Sequence, residues 1–206
     1  MIPNTYPGKF IVVEGLDGSG KSTQVDLLVE FLKSLVKEVV ITREPTMDSE
    51  AGRTVKKVLK KEIFIEPLAL QALYVQDRRG HLQNKVIPAL KNGNYVVSSR
   101  YAFSTFAYGF SEGLNVDQLI AMNSEFLLPD VTIVVDVKPE NCIKRIESRG
   151  EDKEFFETIE KLSKVNTIYQ QLPSRFENVV VVNGEKPSDI VFEEIKQVLG
   201  KTIFNQ

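Results

Sequence analysis

Short apolar segments alternate with longer amphipathic segments along the chain, and this alternation predicts its secondary structure. Five runs rich in β-branched residues have the composition of strands buried on both faces of a sheet, at 10–13, 39–42, 95–98, 131–137 and 179–182. Apolar residues recur at three- and four-residue spacing, as on one face of a helix, over 25–36, 68–90 and 191–199. Strands that alternate with helices need crossover connections. The pattern therefore predicts an α/β fold with a five-stranded parallel sheet and helices on both faces.

Polar residues, glycines and prolines separate these segments at short intervals, without an internal repeat or a low-complexity tract. A length of 206 residues fits one domain with an ordinary hydrophobic core. We therefore expect a single domain over residues 1–206. Ligands of such sheets bind at the carboxyl ends of the strands, so the segments that follow the strands are the first candidates for a functional site.

Composition and charge narrow the range of partners. The chain is 42% hydrophobic and 26% charged, which is typical of soluble globular proteins, and its formal net charge of -2 gives no overall attraction for a nucleic-acid polymer. No N-terminal signal pattern is present, and no apolar run approaches the ~20 residues of a membrane span. The single cysteine, Cys142, is expected to be a small core residue. We expect a cytoplasmic protein with no membrane partner.

A phosphate-binding motif follows the first predicted strand and opens the first predicted helix. The motif G-x-x-x-x-G-K-[ST] is matched by Gly15, Leu16, Asp17, Gly18, Ser19, Gly20, Lys21 and Ser22. Its glycines let backbone N–H groups face a phosphate, the helix N-terminus adds positive potential, and Lys21 adds a point charge. Ser22 is placed to bind Mg²⁺. The sequence therefore predicts an ATP site over these residues and Thr23.

Two other classes of P-loop protein match the remaining sequence less well. A GTPase needs the guanine-binding string N-K-x-D, but the nearest string begins at Asn84, lacks the aspartate and lies within a helical pattern. A motor-type ATPase ends a later strand with acidic residues. The strand over 131–136 ends with Asp136, but Val137 follows where a glutamate is usual. A regulatory P-loop NTPase remains the alternative to a kinase.

Three further motifs resemble those of thymidylate kinases in order and spacing. They are TREP at 42–45, LYVQDR at 73–78 and RYAFSTFAY at 100–108, and the resemblance extends from about residue 9 to the last helix. It implies Mg²⁺-dependent transfer of the ATP γ-phosphoryl group to dTMP, giving dTDP and ADP, in a homodimer. A kinase for another pyrimidine monophosphate or for a deoxynucleoside remains an alternative.

The resemblance assigns roles in acceptor binding to particular residues. It implies that Tyr74 stacks on thymine, where the family usually has Phe, and that Arg78 donates to the thymine O4 one helical turn later. An arginine donor suits the carbonyl O4 of thymine or uracil, whereas in cytosine the same position carries an amino group, which is also a donor. Arg100 ends a buried strand, where an anion should meet it, and the family uses this arginine for the acceptor phosphate. The other implied acceptor contacts are Asp17, Arg43, Pro45, Ser104, Thr105 and Tyr108.

One position departs from the family pattern. The chain has Ser99 before Arg100 where thymidylate kinases commonly have an aspartate that holds a water of the Mg²⁺ shell. Three consequences of this change remain open: Ser99 retains that water more weakly, Asp17 or Asp136 supplies the charge, or turnover is low.

A charged segment after the fourth predicted strand resembles the lid of these kinases, at about residues 149–155. Mobile arginines that close over ATP suit phosphoryl transfer, which depends on positioning and charge neutralisation. We assign this role first to Arg149 and second to Arg145. Lys21 and Arg149 would stabilise the transferring group while Arg100 holds the acceptor. The loop over 183–187 is expected to border adenine, and His81, a lone helical histidine, to be packed or solvated.

Overall fold

The main sheet has five parallel strands. The computed structural model describes residues 1–35, 38–148 and 158–204. These residues form seven strands in two sheets: β1 (Ile2–Pro3), β2 (Lys9–Gly15), β3 (Val39–Arg43), β4 (Tyr95–Ser99), β5 (Leu127–Leu128), β6 (Val131–Asp136) and β7 (Val179–Asn183). The α-helices are α1 (Lys21–Leu35), α2 (Glu50–Leu59), α3 (Pro67–His81), α4 (Ile87–Lys91), α5 (Ala102–Ser111), α6 (Val116–Met122), α7 (Pro139–Glu147), α8 (Ile159–Gln171) and α9 (Ser188–Thr202).

The strand order in the main sheet is β3-β4-β2-β6-β7, and every neighbouring pair is parallel. This confirms the predicted five-stranded parallel sheet, although the fourth predicted strand ends at Asp136, one residue earlier than expected. A separate two-stranded sheet pairs β1 with β5. We did not predict it, because strands of two residues are too short to show periodicity. Strand β2 lies at the centre of the main sheet, so the P-loop, which follows β2, begins at the middle of one edge of the sheet.

The strands are apolar throughout because both faces of the sheet are covered. Successive side chains of a strand point to opposite faces. Phe10 and Val12 therefore join the core formed with α5 and α8, while Ile11 and Val13 join the core formed with α1 and α9. The predicted helices on both faces are confirmed. Cys142 is fully buried in the first of these cores, as expected.

The long helix predicted over 68–90 contains an irregular turn. Between α3 and α4 the residues Leu82–Val86 form a π-helical segment, in which the Ile87 N–H donates to the carbonyl of Leu82. Pro88 explains it, because proline has no N–H and its ring would collide with the carbonyl of Asn84 in a regular α-helix. The helix therefore continues past the proline by widening one turn, directly after His81.

Within the described ranges, none of the helices is both long enough and apolar enough to cross a lipid bilayer.

Two helical glycines predict opposite effects of an alanine substitution. A Cβ on Gly52 in α2 would overlap the carbonyl oxygen of Thr46, whereas nothing lies within 4 Å of a Cβ on Gly200 in α9. Gly52→Ala should lower the free energy of unfolding by about 1–3 kcal/mol through overpacking. Gly200→Ala should raise it by up to about 1 kcal/mol through helix propensity. Urea unfolding followed by circular dichroism measures both, and a shift of the same sign in the two variants would contradict this packing.

Candidate active site

The P-loop connects β2 to α1 and adopts a conformation that depends on glycine. Gly18 and Gly20 have φ values of 81° and 90°, which residues with a Cβ rarely adopt. Gly18 also approaches the backbone of Cys142 in α7, and a side chain there would collide with it. The spacing of glycines in the motif therefore allows the sharp turn and the contact with α7.

Lys21 lies at the N-terminus of α1 and turns back over this loop. Its Nζ donates to the carbonyl of Leu16 at 2.6 Å and lies 3.7 Å from Asp17 Oδ1. Burial, followed by the like charge of Arg100, lowers the pKa of Lys21 to about 8, although Asp17 and Glu14 oppose this shift. A phosphate anion beside Lys21 would stabilise its charged form.

A cleft of about 770 Å³ opens at the carboxyl ends of β2, β3 and β4. It brings the predicted phosphate-binding and acceptor-binding residues into one space. Its lining includes these residues that we selected from the sequence: Asp17, Gly18, Gly20, Lys21, Ser22, Thr23, Arg43, Pro45, Tyr74, Arg78, Ser99, Arg100, Ser104, Thr105 and Tyr108.

Three residues of the P-loop that were predicted to bind ATP do not line the cleft, and neither does Arg145. Gly15 belongs to the end of β2, Leu16 is buried in the core, and Ser19 is buried with its Oγ unpartnered among the described residues. Their backbone positions shape the loop from behind. Their proposed roles therefore concern main-chain groups rather than side chains.

Arg100 is held by several groups around the cleft. Its Nη2 donates to Asp17 Oδ1 at 2.7 Å and to the Tyr108 hydroxyl at 3.0 Å, and its Nη1 donates to Ser104 Oγ at 3.0 Å. Its φ of 69° lies in the left-handed region, which is uncommon for a residue with a side chain and is concentrated at functional sites. Asp17 is thus the anion that meets Arg100 within the chain. Within the described part of the chain, these contacts leave N–H groups on Nε and Nη1 for a second anion.

These contacts shift the ionisation of the groups involved. Burial would raise the pKa of the Asp17 carboxyl, but the charges of Arg100 and Lys21 hold it well below its usual range. Burial raises the pKa of the Tyr108 hydroxyl above its usual value, with Arg100 opposing the shift. At neutral pH the cleft therefore presents an ionised Asp17 and a neutral Tyr108.

Glu14 organises the acceptor side and was missed in the sequence. It is fully buried in β2 and accepts hydrogen bonds from Tyr101 N at 2.8 Å, Ser104 N at 3.1 Å, Ser104 Oγ at 2.6 Å and Tyr169 Oη at 3.0 Å. Burial raises the pKa of this carboxyl, while Arg100 lowers it. Glu14 thus caps the start of α5. The signal was present, because a glutamate that extends a fully buried strand needs partners.

Arg78 is fixed in the wall of the cleft by groups from three other segments. The side chain is 1% exposed, with Nε donating to Glu44 Oε2 at 2.9 Å and Nη2 2.7 Å from the same oxygen. Its Nη1 donates to Asn123 Oδ1, and its Nη2 donates to Thr105 Oγ1 at 3.1 Å. The structure therefore brings Arg78 together with Thr105, another residue predicted to contact the acceptor. Glu44 and Asn123 were not identified from the sequence.

Asp77 attaches the segment after β3 to α3. Its carboxylate accepts from Thr46 N at 2.7 Å, from Thr46 Oγ1 at 2.6 Å and from the Ser49 hydroxyl. This segment begins with a cis peptide bond between Glu44 and Pro45. Asp77 and Arg78 are adjacent in α3, so one helix holds both the loop that carries Pro45 and the wall of the cleft.

The predicted lid residues are only partly described. Arg145 lies on α7, with Nη1 3.4 Å from the carbonyl oxygen of Ser19 in the P-loop. Arg149 and the lid over 149–155 lie outside the described residues. In the loop proposed to border adenine, Glu185 accepts from Lys138 N at 2.8 Å, which ties this loop to the start of α7.

The donors present near the P-loop suit a magnesium ion carried by a nucleotide. Among the described residues no three His, Cys, Asp or Glu side chains form a metal-binding group. Mg²⁺ at nucleotide sites takes most of its ligands from phosphates and water, and needs only one or two from the protein. The Ser22 hydroxyl and the ionised Asp17 carboxylate, both in the cleft wall, fit that requirement. Asp136 does not line the cleft, and its buried Oδ1 has no partner in the part of the chain that is described.

Comparison with known proteins agrees with this arrangement. The sequence model of the family described as thymidylate kinase matches residues 13–195. A probable thymidylate kinase of Pyrococcus abyssi is 34% identical, over 91% of this chain and 94% of the relative. The thymidylate kinases of Carboxydothermus hydrogenoformans and Caldicellulosiruptor saccharolyticus are 37% and 35% identical, each over 93% of this chain and over 97% and 96% of the relatives. The P-loop lines the same cleft as Tyr74, Arg78 and Arg100. Together with a family match over residues 13–195, this shows that the chain belongs to the thymidylate kinase family.

Proposed function

We propose that this protein transfers the γ-phosphoryl group of ATP to dTMP, giving ADP and dTDP. The observation that carries the proposal is the shared cleft of about 770 Å³, whose lining includes Lys21 and Ser22 as well as Tyr74, Arg78 and Arg100. A phosphate donor and a phosphorylated acceptor can therefore face each other at one edge of the sheet. The relatives named thymidylate kinase support dTMP as the acceptor.

The donor side of the cleft suits the ATP phosphates. Backbone N–H groups of the P-loop and the N-terminus of α1 attract the phosphate oxygens, and Lys21 adds charge next to the transferring group. The Ser22 hydroxyl would bind Mg²⁺ directly, and Asp17 would hold one of its waters. Bound there, Mg²⁺ supplies neutralisation of charge on the ATP phosphates. Arg149 closes over ATP in this proposal, and Arg145 assists it from α7.

The acceptor side of the cleft suits a pyrimidine monophosphate. The N–H groups that Arg100 keeps on Nε and Nη1 would bind the acceptor phosphate, while Asp17 and Tyr108 hold the guanidinium in place. Arg78 and Thr105 would contact the base edge, Tyr74 would stack on the ring, and Tyr108 would crowd the sugar 2′ position. An oxygen of the acceptor phosphate then attacks the γ-phosphorus, and ADP leaves with the electron pair of the broken bond. The chain needs no nucleophile of its own.

The same proposal includes five further expectations. Arg43 and Pro45 line the acceptor pocket, and the loop over 183–187 borders adenine. The 206 residues form one domain and the protein acts in the cytoplasm, as expected from its length and composition, and it forms a homodimer, as the family resemblance implies.

The proposed reaction is tested with ATP and a panel of acceptors. We expect ADP release, followed by a coupled spectrophotometric assay, to require an acceptor and to be fastest with dTMP. Release of ADP without any acceptor would favour a regulatory NTPase. A preference for CMP, UMP or thymidine over dTMP would contradict the assignment of the acceptor and indicate one of the other kinases.

Substitutions of Tyr74 test stacking on the acceptor base. Tyr74→Phe keeps an aromatic ring, so the KM for dTMP should stay within about twofold of the wild-type value. Tyr74→Ala should raise that KM about tenfold, because stacking of a base on an aromatic side chain contributes about 1–3 kcal/mol. The KM for ATP is the internal control and should not change. Equal increases for both substrates would contradict a role in acceptor binding.

The lowered pKa of Lys21 predicts proton uptake when ATP binds. With a pKa of about 8, Lys21 in the free protein is about 90% neutral at pH 9. Phosphate oxygens favour the ammonium form, so binding should raise this pKa and take up close to one proton at pH 9, but almost none at pH 7. Calorimetry in two buffers of different ionisation enthalpy measures the uptake. Lys21→Arg, which stays charged, should abolish it, and undiminished uptake in that variant would contradict the assignment.

A further inference from the structure

His81 lies behind the wall of the acceptor site and bridges two polar groups from β3 and the residues after it. The histidine is 5% exposed, and it is not among the residues that line the cleft. Its Nδ1 is 2.9 Å from Glu44 Oε1, and its Nε2 is 2.6 Å from Thr42 Oγ1. A ligand in the cleft therefore does not touch His81 directly. Any effect of His81 on that ligand must pass through Glu44 or Thr42.

The partners of the imidazole determine which nitrogen carries a hydrogen. A carboxylate oxygen can only accept, so Nδ1 must donate to Glu44. In the neutral ring Nε2 then accepts the hydroxyl hydrogen of Thr42. Both hydrogen bonds are buried, where losing one leaves a polar group that water cannot compensate. The ring therefore has one preferred orientation, set from both ends.

Glu44 connects this histidine to Arg78 by dividing its two oxygens between them. Oε1 accepts from His81, while Oε2 pairs with Nε and Nη2 of Arg78 at 2.9 and 2.7 Å. An arginine that contacts one carboxylate oxygen leaves the other free to swing. The bond from His81 removes that freedom, so it fixes the plane of the carboxylate and with it the direction of the guanidinium.

Arg78 has little capacity left for a ligand. Of its five N–H groups, Nε and one on Nη2 face Glu44, the second on Nη2 donates to Thr105, and one on Nη1 donates to Asn123. The contacts among the described residues leave a single N–H on Nη1 for the acceptor base. A contact that depends on one hydrogen is sensitive to small rotations of the guanidinium, since hydrogen bonds weaken steeply with misalignment.

We propose that His81 is a positioning residue for recognition of the acceptor base, acting through Glu44 on Arg78. The proposal rests on the proposed transfer to dTMP and adds a residue outside the cleft to its selectivity. His81 lies three residues after Arg78, on the same side of α3, so one helix carries both the arginine and its support. The loss of this support should weaken binding of the pyrimidine while leaving the ATP side of the cleft unchanged.

Two substitutions of His81 separate positioning from packing. His81→Phe keeps the ring volume but removes both hydrogen bonds. His81→Asn is smaller, but its amide N–H can still donate to Glu44 in place of Nδ1. Gln83→Ala, on the exposed surface of the following turn, is the matched control. The melting temperature of every variant is measured to check that it remains folded at the assay temperature.

We expect His81→Phe to raise the KM for dTMP about tenfold, the effect of losing about 1.4 kcal/mol. The ratio of kcat/KM for dTMP over dCMP should fall, while the KM for ATP stays within about twofold. His81→Asn should recover most of the affinity for dTMP despite its poorer packing. A purely structural role predicts the reverse order of these two variants, so weaker dTMP binding by His81→Asn than by His81→Phe would overturn the proposal.

A double-substitution cycle tests whether the effect passes through Arg78. In the background of Arg78→Lys, which keeps the charge but loses the planar fork, His81→Phe should change the KM for dTMP by less than about twofold. An undiminished tenfold effect in that background would overturn the route through Arg78. A wild-type protein that phosphorylates dTMP and is unaffected by His81→Phe would refute this inference alone. A wild-type protein that does not phosphorylate dTMP would refute the proposed function itself.

Discussion

The parallel pairing of β2 with β4 and β6 is the constraint on which the rest of the site depends. It aligns Val13 with Ser99 and Gly15 with Val135, so the P-loop and the Arg100 turn leave the sheet side by side. Their opposite charges then meet, with Arg100 and Asp17 in contact at 2.7 Å. A shift of one residue in this register would exchange the two faces of β2, so that its side chains would enter the opposite cores and Glu14 would turn away from α5 and α8. The buried cores thus determine where the two halves of the cleft face each other.

Burial makes the charges of this site interdependent. A charged group removed from water must find partners within the protein. Glu14 meets this requirement by accepting four hydrogen bonds from Tyr101, Ser104 and Tyr169, at the start of α5 and on α8. Glu44 meets it through Arg78 and His81. Both carboxylates therefore hold the elements that carry ligand-binding side chains. These internal contacts shape the acceptor side of the cleft, and a site held in this way costs less to order on binding.

Local sequence predicted those parts of the protein that local interactions determine. The P-loop is one continuous segment between a strand and a helix, so its spacing alone was informative, whereas the roles of Tyr74 and Arg78 followed from the family resemblance. The contact of Glu14 with Tyr169 joins residues 155 positions apart, and that of Arg78 with Asn123 joins residues 45 apart. Such pairs are decided by packing and leave no periodic trace. The π-helical turn near Pro88 was in principle predictable from that proline.

The two arginines of the acceptor side differ in how much freedom the chain leaves them. Arg100 keeps N–H groups on two nitrogens for an anion, and a phosphate can meet them in several orientations because its oxygens are equivalent. Arg78 retains one N–H after its contacts with described residues, and Glu44, Asn123 and Thr105 fix the direction of that N–H. A base edge presents donors and acceptors at fixed places, so a single directed donor distinguishes a carbonyl from an amino group where a mobile cation would not. Affinity for the phosphate and selection of the base are therefore separate tasks, and the second requires the more rigid support.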